Sequence, residues 1–361
     1  MRNLALIFCL MIAASLLTSC ASSVAETSPD MQRETQIEAA FEEIDASGLS
    51  VIVAIGSTGN REQIIAEFGA FTEDDIPAAD TQHDILSLTK MVTAVALLDL
   101  VEEGKLRLDE TLGNIFSGVP ADKSGITVHQ LLVHSAGFGV VSGDDYEVIS
   151  KAEFLDRVFA TRLWNEPGKT HSYSNPGYTV LAAIVEERSG QSFEAFVRDT
   201  LAADDFSSFG YEAVYDTAFS ARSRRGELIS DESWGGPEPS WNLIGGGGMI
   251  ATASDFLKFR HALANGDILS EDSLELALSP HIREYQNRDS FYGYGIVIEQ
   301  DPDYGVLYTH NGGSRFFSSM WAEYPATGDV FFVAGPNMDA GYAYRAMGIL
   351  QRHLYPTPLQ E

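Results

Sequence analysis

The sequence predicts an α/β (α+β) protein: one antiparallel sheet built from both ends of the chain, flanked by helices, with a mainly helical lobe inserted. Three observations carry this. Strand-like runs lie near both ends: Leu49–Ile55 and Gln63–Phe71, then Gly293–Glu299, Gly305–His310, Ser318–Tyr324 and Val330–Gly335. The long stretch between them has mostly helical period. No internal repeat and no second linker divides it.

The elements follow in order. Arg2 precedes the apolar run Leu4–Leu17, which is short for a bilayer span and suits a signal peptide. The run ends in Leu17-Thr18-Ser19-Cys20, which resembles a bacterial lipobox, with Cys20 as the lipid-bearing residue. A plain secretory signal with an incidental cysteine is the other reading. The expected organisation is a leader over 1–19, a tether over 20–30 and one domain over 31–361. Its sheet lobe covers about 31–80 and 285–361, and its helical lobe about 81–284. The expected location is the cell envelope, at the periplasmic face or the outer membrane, with membrane contact only through the anchor.

Ile37, Phe41 and Ile44 sit at helical spacing, and Gly48 ends that helix. Ser57-Thr58-Gly59-Asn60 separates the first two strands as a hairpin turn. A strong helix over Ser87–Glu103 follows, with Met91, Val95, Leu98 and Val101 on its apolar positions. Further helices are predicted at Val128–His134, Lys151–Ala160, Tyr178–Glu187, Phe193–Ala202, Ala253–Ala264 and Tyr342–Leu354.

Charge narrows the partners. Formal net charge is −29, and no basic run occurs, so nucleic acid is not an expected partner. The chain has only two cysteines, Cys9 in the leader and Cys20 at its end. The mature body therefore has no cysteine nucleophile and no cysteine-based zinc site.

Three patterns carry chemistry. Ser87-Leu88-Thr89-Lys90 opens the strong helix, so Ser87 and Lys90 share one face near its positive end. A serine hydroxyl becomes a nucleophile when a neighbouring base takes its proton. Read alone, the pattern fits equally an N-cap serine beside a solvated lysine. Lys90, however, lies in an otherwise uncharged stretch and needs an interior partner. Tyr173-Ser174-Asn175 stands between Pro167-Gly168 and Pro176-Gly177; it reads as a catalytic tyrosine or a capping turn, and Tyr285-Gln286-Asn287 repeats the pattern. A nearby ammonium would lower the Tyr173 pKa. His310-Asn311-Gly312-Gly313 ends a strand, where glycines allow close approach and a backbone N–H can face an oxyanion. A simple strand-end turn gives the same pattern.

In order, these elements resemble the class C β-lactamase and penicillin-binding-protein-like serine hydrolases, which carry Ser-x-x-Lys, Tyr-x-Asn and Lys-Thr-Gly or His-x-Gly. Leu88–Asp109, Ile126–Phe138 (with Leu131-Leu132-Val133-His134-Ser135-Ala136-Gly137), Pro167–Gly190 and Gly246–Phe256 resemble the flanking segments. The resemblance implies a two-lobed, cofactor-free and metal-free enzyme working through an acyl-enzyme. Ser87 would be the nucleophile. Lys90 would polarise it and hold Tyr173 ionised or hydrogen-bonded. Tyr173 would move the proton, and Asn175 would bind the substrate. The N–H groups of Ser87 and Gly313 would form the oxyanion hole, with His310 and Gly312 beside them. The flanks select Tyr173 over Tyr285. His310 stands where efficient β-lactamases usually have lysine. That points to an ester, peptide or amide substrate rather than a β-lactam, and to esterase or D-amino-acid peptidase branches.

Other features are read as structural. His134 belongs to a turn. His83, His129, His171, His261, His281 and His353 lack metal-ligand spacing. Gly245–Gly248 reads as a flexible turn, and Asp74-Asp75 and Glu102-Glu103 as solvated charges. Trp164, Trp234 and Trp241 line the substrate pocket or pack in the core.

Overall fold

The computed structural model describes residues 28–69, 78–141, 143–145, 147–201, 206–211, 214, 216, 220–221, 240–336 and 341–356. The leader, Cys9, Cys20, Asp74-Asp75 and Trp234 lie outside the described residues. No helix among the described residues is long and apolar enough to cross a membrane.

Helix α1 (Pro29–Ala46) starts inside the stretch read as a tether. Ser28 caps it, with its hydroxyl accepting the Met31 N–H at 3.3 Å, and Pro29 fits the first turn. Strands β1 (Val51–Ser57) and β2 (Ile64–Phe68) form the expected hairpin. Short β3 (Gln82–Asp84) leads into a 3-10 turn, Leu86–Leu88, and then helix α2 (Thr89–Glu102). Next come α3 (Leu112–Ile115), α4 (Val128–Leu132), α5 (Lys151–Ala160), α6 (Asn175–Ser189) and α7 (Phe193–Leu201). After β4 (Ile250–Thr252) come α8 (Ala253–Ala264) and α9 (Glu271–Ala277). The chain ends with β5 (Ile282–Arg283), β6 (Ser290–Tyr292), β7 (Val297–Asp301), β8 (Gly305–Gly313), β9 (Phe317–Tyr324), β10 (Asp329–Pro336) and α10 (Tyr342–Leu354).

The main sheet is antiparallel, in the order β2-β1-β10-β9-β8-β7-β6-β5. Its centre joins the two chain ends: Ile52 faces Ala334 and Ile55 faces Phe331. Alternation explains why these strands read as continuous apolar runs. Val51, Val53, Phe331 and Val333 point to one face, where Ile37 and Ile44 of α1 and Met347 and Leu350 of α10 cover them. Ile52, Ala54, Phe332 and Ala334 point to the other face, toward the helical core around α2 and α8.

Helix α2 is buried nearly all round, from Thr89 through Leu98, as befits a helix inside a core. Met91, Val95 and Leu98 are buried as expected, and Val101 is partly so. Gly295 (φ 74°) lets the chain entering β7 cross the start of α2: a Cβ there would lie 2.6 Å from the Lys90 carbonyl oxygen. The expected strand at Gly293–Glu299 accordingly begins only at Val297. Strand β8 runs beyond His310 to Gly313, because Gly313 still pairs with Ser318 of β9. Glu102 is not a free solvated charge: it accepts the N–H of Ser270 at 2.9 Å, just before α9.

Candidate active site

Ser87 sits in the 3-10 turn between β3 and α2, one turn earlier in geometry than a regular helix start. Leu86 before it has φ 51°, a left-handed conformation costing a branched side chain roughly 1–2 kcal/mol. Buried polar groups hold this turn. The Asp84 carboxylate accepts the Leu86 N–H at 2.7 Å, the Thr89 hydroxyl donates to the Leu86 carbonyl at 2.6 Å, and the Ser319 hydroxyl donates to the Ile85 carbonyl at 2.9 Å. The Ser87 N–H makes no hydrogen bond with the described residues.

Gly312 explains how closely β8 approaches. A Cβ at this position would stand 2.4 Å from Leu86 Cβ and 2.8 Å from the Ser87 nitrogen. The glycine therefore makes room for the turn that carries Ser87. Gly313 has open space at the same position. Strand β7 stops pairing with β8 at Thr309, which leaves His310–Gly313 with a free edge. The Ser314 N–H donates to Phe317 at 2.9 Å, so alternation turns the Gly313 N–H toward that free edge.

Lys90 is fully buried. Its Nζ reaches Ser87 Oγ at 3.3 Å, Asn175 Oδ1 at 2.8 Å and the Gly246 carbonyl oxygen at 2.5 Å. All three acceptors are neutral. Burial lowers its pKa to about 7, although Asp145 pulls the other way. At neutral pH a large fraction of this lysine is thus an uncharged amine. Such an amine keeps two N–H donors, which match Asn175 and Gly246, and one lone pair, which faces Ser87.

Tyr173 is close enough to Ser87 for the serine to favour the ionised phenol. Lys90 Nζ meets the Tyr173 ring face, 4.7 Å from the centroid, rather than the hydroxyl. Burial raises the phenol pKa. Burial thus opposes the ionisation that a neighbouring ammonium would favour. His134 (φ 53°) packs its ring 4.4 Å from that of Tyr173, and its Nδ1 accepts the Ser174 N–H at 3.1 Å. It orients the Tyr-x-Asn turn, as a structural residue should. Tyr285 is exposed on the surface, away from this group.

His310 Nδ1 lies 2.8 Å from the Asn311 carbonyl oxygen, which can only accept. The ring hydrogen is therefore on Nδ1, and Nε2 accepts from the Tyr292 hydroxyl at 3.0 Å. Burial, reinforced by the positive field of Lys90, lowers its pKa to about 3. His310 is a neutral supporting group behind Tyr173, with both nitrogens committed.

Several site residues were missed by sequence reasoning. A cleft of about 430 Å³, open to solvent, is lined by Ser87, Asn175 and Gly313, and also by Asp145, Asn242 and Gly246. Gly245–Gly248 is a fixed wall rather than a flexible turn. Thr93 donates to the Gly245 carbonyl at 2.7 Å, and the Tyr211 hydroxyl accepts the Gly245 N–H at 2.9 Å. The run of four glycines was the available signal, because a side chain at Gly245 would meet Ala182 Cβ at 2.6 Å. Among the described residues, no group of three or more His, Cys, Asp or Glu could hold a metal ion.

Comparison with known proteins decides the family. The β-lactamase family model matches residues 37–348, most of the chain. The chain belongs to the β-lactamase family. Its fold is shared with penicillin-binding proteins. Penicillin-binding protein 4* of Bacillus subtilis is 26% identical over 286 residues, covering 71% of this chain; the chain spans 61% of that relative's length. Two solved structures share the fold. A penicillin binding protein from Bacillus halodurans superposes with a TM-score of 0.70 at 24% identity, covering 88% of this chain and 99% of that one. A D-amino acid amidase from Ochrobactrum anthropi superposes with a TM-score of 0.73 at 20% identity, covering 90% of this chain and 99% of that one.

Proposed function

We propose that this protein hydrolyses ester or amide bonds through an acyl-enzyme on Ser87, in the manner of the class C-related esterases and D-amino-acid peptidases of the family. The observation that carries the reading is the placement of Lys90 Nζ 3.3 Å from Ser87 Oγ, buried and poised near neutrality. Neutral Lys90 takes the Ser87 proton as Oγ attacks the carbonyl carbon. The Ser87 and Gly313 N–H groups receive the developing oxyanion. The neutral Tyr173 phenol protonates the leaving group; solvent water in the open cleft then returns a proton to Tyr173 and takes one from the Lys90 ammonium. Water then attacks the acyl-enzyme, with Lys90 again as base. Asn175 and Gly246 hold the amine in place throughout.

The family's penicillin-binding and amidase members support a peptide, amide or ester substrate. His310 favours these over β-lactams, since it offers no cation to a drug carboxylate. The reading includes export and attachment to the cell envelope through Cys20, on the strength of the leader sequence. Intact mass of the chain made with its own leader, after treatment with a fluorophosphonate probe, tests both parts. The expected result is loss of residues 1–19 with lipid on Cys20, and one phosphonyl adduct that Ser87→Ala lacks. An adduct that persists in Ser87→Ala defeats the mechanism; an unprocessed leader defeats the anchor.

A further inference from the structure

Two acidic side chains line the cleft, Asp84 and Asp145, and the reaction uses neither. Asp145 lines it together with Ser87, Asn175 and Asn242. Its loop is held against the site: the Asn175 N–H donates to Val140 at 3.1 Å, and the Asn242 side chain donates to Asp144 at 2.8 Å. The Asp145 carboxylate is half-buried and receives no hydrogen bond or ion pair from the described residues. Lys90, the cation whose field it feels, spends its donors on Ser87, Asn175 and Gly246 instead.

Burial and the neighbouring Asp144 push this carboxyl toward its neutral form, and an incoming cation would restore its charge. Asp84, the other acid of the cleft, is already engaged with Leu86. The opposite wall, formed by the β8 edge, offers no buried cation, since His310 is neutral and committed on both nitrogens. Arg315 beyond it is exposed and lies over its neighbour Phe316, 5.1 Å from the ring centroid.

We infer that Asp145 is a specificity-determining residue that receives a cationic amine of the substrate, so that the preferred substrates are esters or amides bearing a free ammonium group. The inference rests on the Ser87 cleft being the active site. It places the substrate's positive charge on the wall of Asn175 and Asn242. It also excludes substrates whose recognition depends on a carboxylate at that wall. The net charge of −29 acts in the same direction, concentrating cations rather than anions around the molecule.

The test is inhibition of para-nitrophenyl acetate hydrolysis at pH 8 by benzylammonium, benzyl alcohol and benzoate, for wild type and Asp145→Asn. At this pH Lys90 is mostly neutral and the amine still charged. In wild type, benzylammonium should compete at least about tenfold better than the isosteric alcohol, the order expected for a charge-assisted hydrogen bond. Asp145→Asn should erase that margin. A margin that survives the substitution overturns the inference. So does benzoate as the strongest inhibitor, which would assign recognition to Arg315. If Asp145 acted only through Lys90, all three inhibitors would keep their order while the acid limb of the rate profile moved, and that too would overturn it. Turnover that persists in Ser87→Ala marks failure of the acyl-enzyme reading instead; the amine margin is then read from saturation-transfer NMR with the same three ligands.

Discussion

Replacing Lys90 gives the sharpest test of how Ser87 is activated. The side chain is fully buried, and its pKa of about 7 compares with an ordinary value of 10.5. With that value, about a tenth of the molecules hold the neutral amine at pH 6, about half at pH 7 and about nine-tenths at pH 8. The rate of Ser87 acylation should follow, rising roughly fivefold from pH 6 to pH 7 and less than twofold from pH 7 to pH 8. The groups facing Lys90 set the midpoint: Asp145 pulls it upward, while burial pulls it down. Lys90→Arg should lose acylation at every pH, because a guanidinium keeps its proton. Stability carries the same signature. The unfolded chain holds the lysine proton up to about pH 10.5, and the folded chain releases it near 7. Between those values the unfolded state binds more protons, so stability rises with pH. Chemical denaturation of wild type and Lys90→Met, compared at pH 7 and pH 9, should show the wild type gaining about 2 kcal/mol relative to the variant. An acylation limb near pH 10, or parallel stability curves for the two proteins, would mean that Lys90 stays charged and is not the base.

Three further substitutions test the geometry. Tyr173→Phe keeps Lys90 in place, so phosphonyl labelling of Ser87 should persist, while turnover of an amide with a poor leaving group should fall by roughly 10²–10⁴; equal loss of both would return the base role to Tyr173. Gly312→Ala forces a methyl against Leu86 and Ser87, so unfolding by denaturant should show a loss of about 1–3 kcal/mol and slowed labelling. Gly313→Ala should leave stability within roughly 0.5 kcal/mol of wild type.

The parts of the site that were legible in the sequence are those that local geometry fixes. Ser87 and Lys90 meet because they stand three apart at the start of a helix. One sheet built from both ends of the chain followed from where the strand-like runs lay, and α5, α8 and α10 have the predicted bounds. Strands β3 to β6 were invisible because two or three residues carry no period. Asp145 and Gly246 were invisible as site residues because separate loops bring them to Ser87. The burial of Tyr173 was not legible either: from sequence Lys90 was a neighbouring charge, and in the fold it meets the ring face. The bond between His310 and Tyr292 depends on a partner from another strand.

The pairing of β1 with β10 also governs how the molecule can form. Ile52 is made long before Ala334, yet they are neighbours inside the sheet. Until β10 arrives, β1 and its hairpin partner β2 present an unsatisfied apolar edge. The closure entropy of nearly the whole chain falls on that one late contact, which favours slow folding. A nascent or translocating chain would therefore depend on protection from aggregation until its last strand is released. Truncations that reach β10 should be read in that light, since they take away an interior strand of the sheet rather than a tail.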